Sequence, residues 1–100
     1  MIRVSRTFIR PNTNVVWFQN TQAGQQVASE RVALYGSKLS EPSNLISQDG
    51  KTWKYSVAWS SQADYDTAMA DSRIIAGIEL RKSYNAANGI TESESEIVAL

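Results

Sequence analysis

The chain has no cysteine and no histidine among its 100 residues. Without cysteine there is no disulfide, no thiolate nucleophile, no thiolate zinc site and no cluster held by sulfur. Without histidine there is no Ser-His-Asp triad, no haem held by imidazole, and no side chain that ordinarily titrates near neutral pH. No stretch approaches the roughly 20 apolar residues that a membrane-spanning helix requires. The first residues, Met-Ile-Arg-Val-Ser-Arg, lack the apolar core of a secretion signal. Neither sign of charge dominates, since ten Lys and Arg balance ten Asp and Glu. That balance argues against a nucleic-acid partner, and the lack of a long apolar run argues against a membrane partner. The five glycines are scattered and form neither a phosphate loop nor a dinucleotide fingerprint.

What is present reads as a small α+β domain. Residues 2–10 are rich in β-branched and aromatic types with partial alternation, which predicts a strand ended by Pro11. Val15-Val16-Trp17-Phe18 is a short apolar run, either extended or leading into a helix. Residues 21–35 predict a helix. Ala23, Val27 and Leu34 form its apolar stripe with Ala28, Val32 and Tyr35 beside it, Asn20 or Thr21 caps it, and Gly36 stops it with a positive φ. Gly24 weakens its first turn. Pro42 keeps residues 37–44 out of any central strand.

Asp49-Gly50 is the strongest local signal. It suits a type I′ turn, and counting outward places Ile46 opposite Trp53 and Asn44 opposite Tyr55. Trp53, Tyr55, Val57 and Trp59 then share one face; Thr52, Lys54, Ser56 and Ala58 share the other. Ser60 or Ser61 caps a second helix carrying Tyr65, Ala68 and Met69, and Ser61 with Asp64 approximates a capping box. Asp71 and Ser72 restart it, and Ile74, Ile75, Ile78, Leu80, Tyr84 and Ala87 continue to about Asn88, where Gly89 ends it as Gly36 ends the first. Gly77 is read as a point of close helix–sheet packing. Residues 91–100 form a terminal strand or an interaction tail. The order gives one ferredoxin-like βαββαβ domain over residues 1–100, a four-stranded antiparallel sheet with helices on one face and the other face bare.

Three groups of residues are candidates for function. The Trp53, Tyr55 and Trp59 ladder forms a core face, a self-association interface or a pocket wall. Arg3, Arg6 and Arg10 near the start, with Glu92, Glu94 and Glu96 near the end, are either a charge clasp or two solvated strand edges. In the ferredoxin-like order the first and last strands are separated by the third, or the last strand crosses to a neighbouring subunit, which would make the clasp a contact between chains. Ile97, Val98 and Leu100 make the C-terminus adhesive and need burial somewhere. The acidic residues Asp64, Asp66 and Asp71 read as helix-dipole partners and do not fit a calcium loop. No catalytic, metal or cofactor-binding set emerges, and no cofactor is expected.

Val57-Ala58-Trp59 followed by Ser60-Ser61-Gln62-Ala63-Asp64-Tyr65-Asp66 resembles the dimeric α+β barrel group, which includes antibiotic-biosynthesis monooxygenase-like domains. The resemblance implies dimers packed sheet to sheet and, among the enzymes, cofactor-free oxygenases and haem-degrading proteins. The latter use a histidine ligand that this chain lacks. An oxygenase pocket would draw on Trp53, Trp59, Tyr55 and Asn44. Arg10-Pro11-Asn12-Thr13, the Asp-Gly hairpin and Tyr84-Asn85-Ala86-Ala87-Asn88-Gly89-Ile90 resemble short virion-associated proteins of tailed phages. That resemblance implies a non-enzymatic, self-associating structural protein, located in the host cytoplasm during assembly or in the virion, with other virion proteins as partners. A small cofactor-free monooxygenase-like enzyme and a peptide-binding module are the alternatives.

Overall fold

The hairpin sets the centre of the sheet. The computed structural model describes residues 1–100. Strands β2 (Leu39–Ile46) and β3 (Thr52–Trp59) pair antiparallel, with Ile46 opposite Trp53 and Asn44 opposite Tyr55, the register counted from the Asp-Gly pair. The turn itself is not type I′, because Asp49 does not take a positive φ; Gly50 alone does, at 74°. The Asp49 carboxylate instead accepts hydrogen bonds from the Ser47 hydroxyl at 2.6 Å and the Lys51 N–H at 3.0 Å, so a side chain closes the turn. Pro42 falls inside β2, which it can do because β2 is an edge strand and bulges there, with Glu41 at φ 50°.

Strand β1 (Ile2–Ile9) pairs along the other side of β3, with Ile2 opposite Trp59 and Phe8 opposite Trp53. The sheet order is β2-β3-β1-β4, where β4 is Thr91–Glu92, and a fifth strand, β5 (Glu96–Ala99), also pairs with β1. The sheet therefore has five strands rather than four. Residues 93–95 bridge β4 and β5 opposite only Arg6 and Thr7 of β1, so one extra residue bulges out and splits the last strand. The first and last strands are neighbours in one chain, not separated by the third. The terminus is fastened there as well, by the Leu100 N–H on the Met1 carbonyl at 3.0 Å.

The helices cover one face. Helix α1 (Gln22–Tyr35) starts at Thr21, whose hydroxyl accepts from the Gly24 N–H at 3.0 Å. Gly36 does not stop it with a positive φ; it stays helical at −56° and the chain tightens into a 3₁₀ turn over Gly36–Lys38. Helix α2 (Gln62–Ala70) is capped by Ser61, and α3 (Ser72–Ala87) by Asp71, at the expected break. Gly89, at φ 71°, ends the last helix as expected.

The inward stripes differ from the apolar stripes. On α1 the inward residues are Gly24, Val27, Arg31, Leu34 and Tyr35, while Ala23 and Val32 are exposed. On α3 they are Ile74, Gly77, Ile78, Arg81, Tyr84 and Asn85, while Ile75 and Leu80 face out. Two glycines explain how tightly these helices are seated. A Cβ on Gly77 would lie 2.8 Å from a Val27 methyl, so Gly77 serves helix–helix rather than helix–sheet packing. A Cβ on Gly24 would lie 1.9 Å from the Phe18 carbonyl oxygen, which makes that residue a requirement of the loop rather than a weakness of the helix.

Beneath the helices lie two core clusters. One joins Ile2, Val57, Trp59 and Ala68; the other joins Phe8, Trp17, Trp53 and Ile90. Between them the sheet places Arg6 of β1 opposite Tyr55 of β3. The apolar core is interrupted at that point.

Candidate active-site cavity

The interruption is a cavity of about 240 Å³ between the sheet and helices α1 and α3. Its sheet wall is aromatic. Phe8 stacks on Trp53 with centroids 4.8 Å apart, and Trp53 also meets Trp17 at 5.8 Å and Tyr55 at 5.9 Å. Trp59 closes the far end against Tyr35 and Tyr65. Trp53, Tyr55 and Trp59 thus share one face as the ladder required, and all three line the cavity. The protein's own helices cover them, so they are not presented on the open face of the sheet. Asn44 does not line the cavity; it accepts a hydrogen bond from the Trp53 indole N–H at 2.9 Å and orients that ring.

Trp17 reaches the cavity because its loop is tied down. Arg10 donates through Nε to the Gly50 carbonyl at 2.8 Å and through Nη1 to the Val15 carbonyl at 2.7 Å, and lies 4.5 Å over the Trp17 ring. The Tyr84 hydroxyl donates to the Val16 carbonyl at 2.6 Å. Arg10 is therefore a fastener for the hairpin turn and the Trp17 loop, with no acidic partner.

The other clasp candidates separate in the same way. Arg3 lies on the open face and pairs with Glu41 at 3.6 Å, not with the tail. Arg6 alone meets the tail. It donates to the Ser93 carbonyl at 2.9 Å and to the Ser95 hydroxyl, and lies 3.7 Å from Glu92. Glu94 and Glu96 are exposed and form no ion pair. The clasp is thus a single contact within one chain. Of the apolar tail, Ile97 lies beside Val4 on the helix side of the sheet edge, and Val98 beside Arg3 on the open side. Both are exposed, as is Leu100.

The cavity's polar groups come from positions that the sequence pattern passed over. Arg31 on α1, and Arg81 and Asn85 on α3, line it together with Arg6. Glu92 is the hub: its carboxylate accepts from Arg81 at 3.2 and 3.3 Å and from Asn85 Nδ2 at 2.9 Å. Burial holds the Arg6 guanidinium below its usual pKa and the neighbouring Arg81 cation adds to this, while Glu92 opposes it. Arg6 remains a cation. The signal that would have found these residues is spacing: Arg31 stands four residues after Val27, Arg81 three after Ile78, and Asn85 four after Arg81, all continuing inward stripes.

Of the acidic residues Asp64, Asp66 and Asp71, only Asp71 caps a helix; Asp64 accepts from the Ser60 hydroxyl and Asp66 from Gln62 Nε2. Asp71 accepts from the Arg73 N–H at 2.9 Å, the Arg73 guanidinium at 2.8 Å and the Tyr35 hydroxyl at 2.8 Å. These bonds hold its carboxyl far below the usual range, and the bond to Asp71 raises the Tyr35 phenol. No group of three or more His, Cys, Asp or Glu residues gathers anywhere in a way that could hold a metal ion. No helix is long and apolar enough to cross a membrane.

No protein-family model and no curated protein matches the sequence. Solved structures do match the fold. One is SnoaB, a cofactor-independent oxygenase from Streptomyces nogalater, with a TM-score of 0.65 at 10% identity, covering 99% of this chain and 91% of that one. Another is a Deinococcus radiodurans protein assigned as an antibiotic biosynthesis monooxygenase, with a TM-score of 0.56 at 9% identity, covering 100% and 92%. The fold is thus that of the antibiotic-biosynthesis monooxygenase-like proteins. The likeness is one of fold, and nothing among these structures supports the resemblance to virion-associated proteins of tailed phages.

Proposed function

We propose that this protein is a small oxygenase that works without a bound redox cofactor, on a flat, electron-rich, acidic organic substrate held in the cavity. The cavity itself carries the reading: an aromatic slot whose charged lining is four arginines and one glutamate, Glu30. Its fold is similar to that of a cofactor-independent oxygenase. Molecular oxygen accepts electrons one at a time, so with no redox group the substrate must supply them as a carbanion, enolate or phenolate. Cations beside the substrate favour that anion and lower its pKa. Arg6, Arg31 and Arg81 face the cavity with Glu92 as the shared counter-charge of two of them.

The balanced reaction is R₂CH₂ + O₂ → R₂C=O + H₂O. A C–H proton leaves to water, and the carbanion passes electrons to oxygen and forms a C–O bond. The hydroperoxide then loses its second C–H proton as the O–O bond breaks and water departs. The substrate carbon is oxidised and oxygen is reduced, with no further reductant.

The test is oxygen uptake with a fused-ring ketone whose CH₂ is acidic, such as anthrone. The expected result is one oxygen consumed per ketone converted, unaffected by a strong chelator. No uptake above the uncatalysed rate would overturn the proposal.

Self-association belongs to the same reading. The open face has a flat centre of Ser5, Ser43, Ser56 and Ala58, flanked by exposed Ile9, Leu45, Val98 and Leu100. A second copy of the chain laid on it would bury those apolar groups.

A further inference from the structure

Of the arginines that line the cavity, all but one have a carboxylate. Arg6 and Arg81 share Glu92, and Arg73 is held by Asp71. Arg31 forms no ion pair. Its single hydrogen bond runs from Nη2 to the Tyr55 hydroxyl at 2.8 Å, and its guanidinium lies 5.4 Å from the Tyr55 ring centroid. Its Nε is buried with no partner. A second orphan lies in the same lining: Asn85 is 3% exposed, and its Oδ1 accepts no hydrogen bond while its Nδ2 is committed to Glu92. A buried N–H and a guanidinium without a counter-ion are both costly, and an acceptor oxygen on a ligand removes both costs.

The chemistry of the gap is narrow. With one Nη2 N–H given to Tyr55, the guanidinium keeps further N–H donors, and paired guanidinium donors match the two oxygens of a carboxylate. One free guanidinium amid aromatic and aliphatic walls suits a monoanion, whereas a phosphate dianion would call for more donors. We propose that Arg31 is the carboxylate anchor of the cavity, so that its ligand is a flat aromatic acid whose remaining polar contact is an N–H or O–H given to Asn85 Oδ1. The proposal rests on the cavity being the substrate site and adds the acid group to the substrate class.

Calorimetric titration with 2-naphthoate and with 2-naphthamide, its neutral counterpart of the same shape, tests it in the intact protein. The native chain should prefer the carboxylate by about tenfold or more. Arg31→Gln should abolish that preference, and Arg31→Lys should restore only part of it, because an ammonium lacks the paired donors of a guanidinium. The melting temperature gives a control: an arginine that serves a ligand rather than the fold leaves it equal or higher when replaced by glutamine. Equal binding of the two probes by the native chain, or a preference that survives Arg31→Gln, would remove the anchor and leave the oxygenase reading standing. Failure of both probes to bind at millimolar concentration would count against the anchor and against the cavity as a site for flat aromatic ligands.

Discussion

Replacing Glu92 by glutamine tests whether the cavity's polar wall is held together by one carboxylate. Glu92 accepts from both Arg81 donors and from Asn85, and stands 3.7 Å from Arg6. Its side chain is 13% exposed, and those of Arg6 and Arg81 are 25% and 21%. Removing one partner of a fully buried pair costs about 3–5 kcal/mol, because a cation is left without compensation. Partial exposure of the arginines lets water and salt recover some of this, so the expected loss for Glu92→Gln is about 2–3 kcal/mol. In a domain of this size that corresponds to a fall in Tm of roughly 10–20 °C.

The control is Glu96→Gln, an exposed residue with no ion pair, which should change stability by no more than about 0.5 kcal/mol. The double variant Arg81→Met with Glu92→Gln sharpens the test. The hydrogen bonds of Arg81 go only to Glu92, so once Glu92 is gone a methionine removes an unpaired cation and keeps the packing over Phe8. The double variant should therefore be more stable than Glu92→Gln alone, with a coupling of about 1 kcal/mol or more. Urea unfolding followed by tryptophan emission measures all of these. A Glu92→Gln protein that melts within about 3 °C of the native one would refute the reasoning.

Acid should destabilise the protein partly through Asp71. Its carboxyl is held far below the unfolded value by Arg73 and Tyr35, so its contribution is complete above about pH 4 and is lost as the pH falls toward the depressed native value, where the unfolded chain binds a proton that the folded one does not. Tm measured from pH 7 to pH 2 should fall less steeply in Asp71→Asn than in the native chain; parallel curves would contradict this. Sedimentation at micromolar concentration should show a dimer that Val98→Asp converts to monomer, and a native monomer would remove the open-face association.

The local signals proved reliable where one short segment contains the whole cause. The strand register of β2 and β3 could be counted from Asp49-Gly50, although the turn closes through the Asp49 side chain rather than through two positive φ angles. Thr21, Ser61 and Asp71 cap their helices because capping needs only a side-chain oxygen and the next few N–H groups. The alternation of β3 put Trp53, Tyr55 and Trp59 on one face for the same reason, since a strand's period is a property of its backbone.

Composition also ruled out thiol and imidazole chemistry by itself, because no fold can supply an absent side chain. Tertiary structure decided the rest. It split the last strand by one inserted residue, laid it beside the first, and so turned a supposed bridge between subunits into an internal contact of Arg6. It also rotated α1 and α3 so that Arg31, Arg81 and Asn85 face inward while Val32 and Leu80 face water. An apolar stripe cannot reveal such positions, because a cavity reverses the usual preference: where the helices stand off the sheet, charged and amide groups line the void.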